Sequence, residues 1–277
     1  MKSRFAILFA FDGTDYCGWQ TQKGIGRHSN PKLSIEETLA TAIYEVCAET
    51  VTVVASGRTD AGVHASGQVA HFELTSGRFS EKSLILGINQ ELPDTIQILA
   101  LEQVPREFHA KEAIRKQYSY YFQQGPAQLP HLRTTALWDH YPLDGDLMQK
   151  SLSCLQGEHD FAGFSAAGAK VNSTVRSLHE VEITHHPISL PGEYDTSTHF
   201  LWRLRLVGSG FLKQMVRTIA GTVKQIGEGQ RPAEDMAMIL ESRDRTLAGP
   251  TAPACGLWLE RVWYPKQEGV DFLKQTE

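Results

Sequence analysis

Short apolar segments of strand period alternate with amphipathic segments of helix period along the whole sequence. This alternation limits the chain to architectures in which helices pack on sheets. In the N-terminal half it predicts the order β-α-β-β-α-β, which is that of a ferredoxin-like unit. The predicted strands are 5–11, 51–55, 68–74 and 95–101, and the predicted helices are 35–46 and 83–90.

The first helix has a recognisable start. Ser34-Ile35-Glu36-Glu37 has the form of a capping box, in which the Ser34 hydroxyl accepts a helix N–H and Glu37 reaches back. Apolar residues then recur at helical spacing, which gives the helix one apolar face. These residues are Ile35, Leu39, Ala42, Ile43 and Val46.

The second half repeats the theme more loosely. Its clearest helix follows Gly210 and has one apolar side, formed by Leu212, Met215, Val216, Ile219, Ala220 and Val223. The predicted strands there are 117–123, 175–184, 200–207 and 257–264, and two further helices are 146–155 and 232–241. We therefore predict an α+β fold of two ferredoxin-like (RRM-like) halves that form an antiparallel sheet flanked by helices. The predicted division is 1–110, 111–266 and a tail at 267–277.

The average charge does not indicate a nucleic-acid-binding protein. The 277 residues include 27 basic and 32 acidic side chains, for a net charge of −5. Any nucleic-acid site must therefore come from local clustering of basic residues. Two concentrations either follow phosphates or form ordinary solvated faces: Arg203, Arg205, Lys213 and Arg217 in the first, and Arg106, Lys111, Arg115 and Lys116 in the second.

Cysteine and histidine usage predicts a cytoplasmic protein without a metal. Cys17, Cys47, Cys154 and Cys255 are widely scattered and lack zinc-like spacing, which favours reduced thiols. His64 and His71 also lack companion ligands, so we expect structural or RNA-facing roles for them. The apolar run at 5–11 is too short for a signal peptide or a membrane span, so we expect no membrane partner.

The most informative stretch is Gly57-Arg58-Thr59-Asp60-Ala61-Gly62-Val63-His64-Ala65, between two predicted strands. Its glycines permit unusual backbone conformations and the close approach of a ligand to a central carboxylate. Asp60 is therefore a candidate catalytic carboxylate. Residue chemistry alone leaves a second interpretation open, because Asp-Ala-Gly is also an ordinary turn sequence.

The whole set of motifs resembles the tRNA pseudouridine synthase A family over roughly residues 5–265. The Asp60 loop is similar to the family signature, and the other similar motifs follow the family's order. They are Phe11-Asp12-Gly13-Thr14-Asp15-Tyr16-Cys17-Gly18-Trp19-Gln20, Gly67-Gln68-Val69-Ala70-His71-Phe72, Phe108-His109-Ala110, Tyr118-Ser119-Tyr120, His159-Asp160-Phe161-Ala162-Gly163-Phe164, residues 211–217, Asp244-Arg245-Thr246 and Gly256-Leu257.

The resemblance implies that the chain isomerises uridines 38, 39 and 40 of the tRNA anticodon stem-loop, as a homodimer and without a cofactor or metal. It implies that Asp60 is the essential aspartate and that Arg217 is the cation beside it. Arg58 becomes an RNA contact, Tyr118 a stacking platform for the flipped uracil, and Leu257 an apolar wall of the pocket. Weaker RNA contacts are expected at Arg203, Arg205, Lys213, Lys111, Arg115 and Lys116.

The chain departs from the family pattern in places. The loop at 21–32 is longer than usual, and Lys111 stands where arginine is usual, which would weaken a bidentate phosphate contact. Two other functions remain as alternatives. A nucleoside or glycoside hydrolase would need a second carboxylate beside Asp60, and a non-catalytic RNA-binding protein would need a stacking signature that the sequence lacks.

Overall fold

A computed structural model describes residues 2–20, 32–75, 79–166, 168, 171–189 and 198–265. Most of the long loop at 21–32 and the predicted tail at 267–277 lie outside these residues. The chain divides into two compact units, Met1–Arg115 with Leu259–Glu277, and Lys116–Trp258. Each unit combines helices with a mostly antiparallel sheet, which confirms the mixed α/β class.

The first unit begins with the predicted order of strands and helices. Strand β1 pairs antiparallel with β3 on one side and with β4 on the other, and β2 pairs with β3. The bounds are β1 (Ser3–Phe11), α1 (Ile35–Cys47), β2 (Val54–Ala55), β3 (His64–Leu74), α2 (Glu81–Glu91) and β4 (Ile96–Val104).

The capping box at the start of α1 is present as predicted. The Ser34 hydroxyl accepts the Glu37 N–H at 3.1 Å, and the Glu37 carboxylate accepts the Ser34 N–H at 3.3 Å. Burial explains why this helix forms where it does: Ile35, Leu39 and Ile43 are fully buried. The capping box thus satisfies two N–H groups that would otherwise lack a partner, and the buried residues pack one face of the helix into the core.

The second unit carries the other helices. Strands β5 and β9 pair antiparallel, as do β9 with β8 and β8 with β7, whereas β6 runs parallel to β5. The bounds are β5 (Arg115–Gln124), β6 (Leu137–Asp139), α3 (Gly145–Leu152), β7 (Gly157–Asp160), β8 (Val175–Pro187), β9 (Phe200–Gly208), α4 (Met215–Gly227) and α5 (Asp235–Ser242).

Helix α4 is the buried centre of the second unit. Its predicted apolar face is confirmed, since Met215, Ile219 and Val223 are fully buried. The helix starts after Gln214, whose φ of 61° is the left-handed conformation and turns the chain into the helix. The third residue of this helix is Arg217, so the core packing of α4 also positions a candidate site residue.

The last strand, β10 (Leu257–Trp263), begins in the second unit and continues into the first, where it lies next to β3. Contact with β3 is close. A Cβ on Gly67 would lie 2.1 Å from the Glu260 carbonyl oxygen, so only glycine allows this approach. Among the residues that the structure describes, no helix is long and apolar enough to cross a membrane.

Candidate active site

The Asp60 loop joins β2 to β3 in the first unit. The Val63 N–H donates to the Asp60 carbonyl oxygen at 3.2 Å and closes a four-residue turn. Gly62 occupies the third position of this turn with a φ of 76°, the backbone conformation that favours glycine there. The turn presents Asp60 half-buried at its first position.

The N-terminal motif holds the centre of this loop. Gly18 and Asp60 form an isolated antiparallel β-bridge, and the Trp19 N–H donates to the Thr59 carbonyl oxygen at 3.0 Å. Gly18 has a φ of 103°, and a Cβ there would lie 2.6 Å from the Thr59 oxygen. Glycine is therefore required for the approach of the two motifs, which are far apart in the sequence.

Asp12 and Gly13 hold the end of the loop. The Gly13 N–H donates to Nδ1 of the fully buried His64 at 3.1 Å, and a Cβ on Gly13 would lie 1.9 Å from the Val63 carbonyl oxygen. Burial alone would raise the pKa of Asp12, but the hydrogen bonds that its carboxylate accepts from the Thr14 hydroxyl and N–H outweigh burial and lower that pKa. His64 was expected to be either structural or RNA-facing, and its buried contact with Gly13 gives it a structural role.

Gln68 holds the beginning of the loop from β3. Its fully buried side chain accepts the Ser56 hydroxyl at 2.7 Å and donates Nε2–H to the Gly57 carbonyl oxygen at 3.1 Å. The Asp60 loop is thus fixed at its beginning, centre and end. Such a fixed backbone is what a catalytic side chain requires, because reaction rates fall steeply when a group is misplaced.

Arg58 lies on the same loop but is exposed. Burial raises the pKa of Glu36, and the positive charge of Arg58 partly offsets this effect, so the two side chains lie near each other. An exposed guanidinium beside a fixed acidic loop suits the predicted contact with RNA.

Arg217 is held in the second unit by a segment that precedes β10. Its Nε–H donates to the Ala252 carbonyl oxygen at 2.7 Å, and the Ala252 N–H donates back to the Arg217 carbonyl oxygen at 3.0 Å. The side chain is half-buried. Because the guanidinium is planar, a hydrogen bond at Nε restricts the directions in which both terminal nitrogens point.

Tyr118 and Leu257 are both buried in the second unit. The Tyr118 ring packs edge-on against Phe211, with ring centroids 5.0 Å apart. Leu257 follows Gly256, where a Cβ would lie 2.6 Å from the Tyr120 ring. Tyr120 itself donates its hydroxyl to the Pro253 carbonyl oxygen at 2.8 Å. Two aromatic contacts thus support the residues that the resemblance assigns to the uracil pocket.

The basic residues of β9 differ in how they are engaged. Arg205 makes ion pairs with Glu180 at 2.5 Å and Glu182 at 3.2 Å, so two carboxylates already offset its charge. Arg203 donates Nε–H to the Ser119 hydroxyl at 3.0 Å. Lys213, by contrast, is exposed in the segment before α4. The exposed lysine suits a phosphate contact better than Arg205 does.

The basic residues before Tyr118 are also unequal. Lys111 is exposed, and Arg115 lies over the Trp263 ring at 5.8 Å from its centroid. Burial lowers the pKa of Lys116 to about 8, so a smaller fraction of this side chain is protonated near neutral pH than of a surface lysine. His, Cys, Asp and Glu side chains form no group of three or more that could hold a metal ion within the described ranges.

Sequence reasoning did not single out several residues that position the site. Gly13, Gly18 and Gln68 support the Asp60 loop, and Phe211 and Ala252 support Tyr118 and Arg217. All of them except Ala252 lie inside the sequence motifs that resemble the family, so those motifs were the available signal. Ala252 carried none, because it acts only through its backbone.

Comparison with known proteins shows the family of the chain. A family described as tRNA pseudouridine synthase matches residues 7–111 and 153–265, which include the Asp60 loop and Arg217. The chain belongs to this family. It is 37% identical over 268 residues to the tRNA pseudouridine synthase A of Paraburkholderia phytofirmans, covering 96% of this chain and 92% of that protein.

Two further relatives carry the same name. The tRNA pseudouridine synthase A of Maridesulfovibrio salexigens is 38% identical over 263 residues, covering 94% of this chain and 90% of its own length. That of Pseudomonas aeruginosa is 37% identical over 265 residues, covering 95% and 86% respectively. The similarity therefore spans both compact units.

Proposed function

We propose that this protein is a tRNA pseudouridine synthase that isomerises uridines 38, 39 and 40 of the anticodon stem-loop. The observation that carries this proposal is the Asp60 loop, fixed along its length inside a chain that matches tRNA pseudouridine synthase A proteins over nearly its full length. The positions in tRNA follow from the resemblance of the motifs to that family.

The reaction needs only one well-placed carboxylate. The bond from uracil N1 to ribose C1′ breaks, the base rotates, and a new bond forms between C1′ and C5. The proton lost from C5 is balanced by the proton gained at N1, so no electron leaves the nucleotide. An aspartate can serve as nucleophile or as base in such a sequence. We propose Asp60 for this role, with its first point of attack open.

We propose Arg217 as the cation that stabilises the Asp60 carboxylate. A carboxylate in a partly closed site needs a positive partner to offset the cost of desolvation. The hydrogen bond from Arg217 Nε to Ala252 supports this role, because it leaves the guanidinium in a defined orientation. A lysine would not reproduce this arrangement, because its ammonium lacks the planar fork that lets Nε–H bind Ala252 while the terminal nitrogens keep a defined direction.

The target uridine must leave the base stack before it reacts, at a cost of a few kcal/mol. We propose that the exposed Arg58 holds the flipped nucleotide and that Tyr118 stacks on its uracil, which is worth roughly 1–3 kcal/mol. Leu257 would keep water from the reacting carbon. Lys213 and Lys111 would contact phosphates, with weaker contacts from Arg203, Arg115 and Lys116, whereas Arg205 would remain paired with Glu180 and Glu182.

The architecture and assembly complete the proposal. We propose that the two units are ferredoxin-like halves, for which the order β4-β1-β3 with β2 beside β3 gives support in the first. We also propose a cytoplasmic homodimer that binds one anticodon stem-loop with both subunits. Sedimentation at micromolar concentration tests this assembly: a species of twice the 30.9 kDa chain mass is expected, and a monomer contradicts it.

One assay separates the proposed function from its alternatives. The protein is incubated with unmodified tRNA labelled with tritium at uridine C5, and released label is measured alongside the intact tRNA. A synthase releases tritium to water and leaves the tRNA chain whole. A hydrolase frees uracil instead, and a binding protein releases nothing. Absence of release from tRNAs with uridines at 38, 39 or 40 contradicts the proposal.

A further inference from the structure

The segment at 249–256, here called the strap, runs along α4 in direct backbone contact with it. The Gly249 N–H donates to the Thr222 hydroxyl at 3.0 Å. A Cβ on Gly221 would lie 1.8 Å from the Pro250 carbonyl oxygen, so no larger residue fits between helix and strap. The strap and α4 are therefore packed closely together at Gly221 and Thr222.

The strap also holds Arg217. Ala252, near its middle, exchanges two hydrogen bonds with Arg217, one to the side-chain Nε and one to the backbone carbonyl. The Tyr120 hydroxyl donates to the carbonyl oxygen of Pro253, the next residue of the strap, at 2.8 Å. The direction of the Arg217 guanidinium is consequently set by where the strap places Ala252.

Arg245 holds the strap from its other side. Its Nη1–H donates to the Gly249 carbonyl oxygen at 3.1 Å, and its Nη2–H donates to the Thr251 hydroxyl at 2.9 Å. These two acceptors stand on either side of Pro250, where Gly221 meets the strap. A planar guanidinium with parallel donors suits this pair of acceptors better than an ammonium, whose three donors share one nitrogen.

The turn that carries Arg245 is itself fixed. The Asp244 carboxylate accepts the Thr246 N–H at 2.8 Å and the Thr246 hydroxyl at 2.7 Å. The motif Asp244-Arg245-Thr246 thus has a role separate from the proposed chemistry of Asp60 and the proposed stacking on Tyr118. Its outer residues shape the turn, and its middle residue bridges the strap.

We propose that Arg245 is a positioning residue for the isomerisation: by bridging Gly249 and Thr251 it fixes the strap, and the strap orients Arg217. The inference rests on the proposed role of Arg217 in the reaction. It differs from a purely structural role for Arg245, in which loss of the side chain would lower stability and leave the turnover of the folded enzyme unchanged.

The test uses Arg245→Gln, which removes both hydrogen bonds of the bridge, and Thr251→Val, which removes the one to the Thr251 hydroxyl, with Arg243→Gln as the matched control. Arg243 is an exposed arginine two residues away whose ion pair, with Asp160 at 3.3 Å, does not involve the strap. We expect kcat on tRNA to fall on the order of ten- to a hundred-fold in Arg245→Gln, as for a misplaced catalytic group. Affinity for tRNA should stay near wild type, and Arg245→Lys should recover part of kcat.

A double-mutant cycle with Arg217→Lys distinguishes positioning from stability. If Arg245 acts through Arg217, Arg245→Gln should cost little further kcat once position 217 carries lysine. Hydrogen exchange at the Ala252 amide, followed by NMR, should accelerate in Arg245→Gln and Thr251→Val but not in Arg243→Gln. That readout does not depend on activity.

The contrary outcomes are distinct. Wild-type kcat in both Arg245→Gln and Thr251→Val overturns this inference and leaves the proposed function standing. So does a loss of kcat from Arg245→Gln that is equally large with arginine and with lysine at position 217. Should Arg245→Gln fail to fold, Thr251→Val and Arg245→Lys decide the question by the same measurements. A wild-type protein that releases no tritium from tRNA overturns the proposed function and this inference with it.

Discussion

Gly18 pairs with Asp60 in an isolated antiparallel β-bridge, and this contact joins the N-terminal motif to the loop that carries the proposed catalytic carboxylate. A glycine is needed there for two reasons, a φ of 103° and a backbone oxygen that leaves no room for a Cβ. The placement of Asp60 therefore depends on a residue without a side chain.

Gly18→Ala should abolish most activity. The new Cβ would lie 2.6 Å from the Thr59 oxygen, so the Asp60 loop must shift to accept it. Gly229→Ala is the matched control, because Gly229 also has a positive φ, 72°, yet no atom of the described residues lies within 4 Å of the added Cβ. Both variants should lose about 1–2 kcal/mol of stability from the backbone conformation. Equal tritium release by the two folded variants would contradict this account of Gly18.

Tyr118 should act through its ring rather than its hydroxyl. Tyr118→Phe keeps the edge-on contact with Phe211 and the stacking face, so near wild-type kcat/KM is expected. Tyr118→Leu should lower kcat/KM by the worth of one stacked base, roughly 1–3 kcal/mol. Steady-state kinetics on tRNA measure both variants. Phenylalanine as damaging as leucine would show that the hydroxyl, not stacking, is what the reaction needs.

Stability should fall as the pH drops from about 6.5 toward 4. Burial, aided by the nearby positive charges of Arg4 and His109, lowers the pKa of His71 to about 4. Between these pH values the unfolded chain binds a proton that the native protein does not, so acid favours unfolding. The loss approaches roughly 3 kcal/mol near pH 4.

Urea denaturation at several pH values checks this, with His71→Asn as the non-titrating variant. The amide oxygen of the substituted asparagine can still accept the Ala110 N–H that His71 Nδ1 accepts at 3.2 Å. The pH dependence should flatten in His71→Asn and persist in His186→Asn, a change at an exposed histidine. Parallel curves for wild type and His71→Asn would refute the assignment.

Lys213 and Arg205 should contribute unequally to tRNA binding. Glu180 and Glu182 already offset the charge of Arg205, whereas Lys213 is exposed. Lys213→Gln should weaken binding and reduce the slope of log Kd against log salt by about one. Arg205→Gln should leave that slope unchanged, as measured by filter binding at several salt concentrations. The reverse order would place the phosphate contact on β9.

The helices were predictable where a local rule and the core agree. The capping box fixed the start of α1, and the apolar face of α4 is buried as predicted. Short elements were not predictable: the strand predicted at 51–55 contains only Val54–Ala55, and β6 and β7 were missed. Strands of two to four residues are too short to show an alternating apolar and polar pattern. They form because they pair with neighbouring strands.

The candidate site was predictable as a set of residues and not as an arrangement. A carboxylate between two glycines marked the Asp60 loop, but its fixation by Gly18 and Gln68 depends on backbone contacts across the fold. The ion pairs of Arg205 with two glutamates on β8 could not be predicted from the sequence either, because the register of the two strands decides which charges lie opposite each other. Sequence spacing does not encode that register.

The central claim is that the Asp60 carboxylate drives the isomerisation, and single-turnover tritium release with Asp60→Asn tests it most directly. Asparagine preserves the size of the side chain and its half-buried place at the turn, and removes only the charge and the basic oxygen. Asp94→Asn, a change at an exposed turn residue of the same unit, is the control. We expect no detectable tritium release by Asp60→Asn, although this variant should bind tRNA with wild-type affinity. Asp94→Asn should release tritium at the wild-type rate. Release by Asp60→Asn at a rate near that of wild type would contradict the central claim.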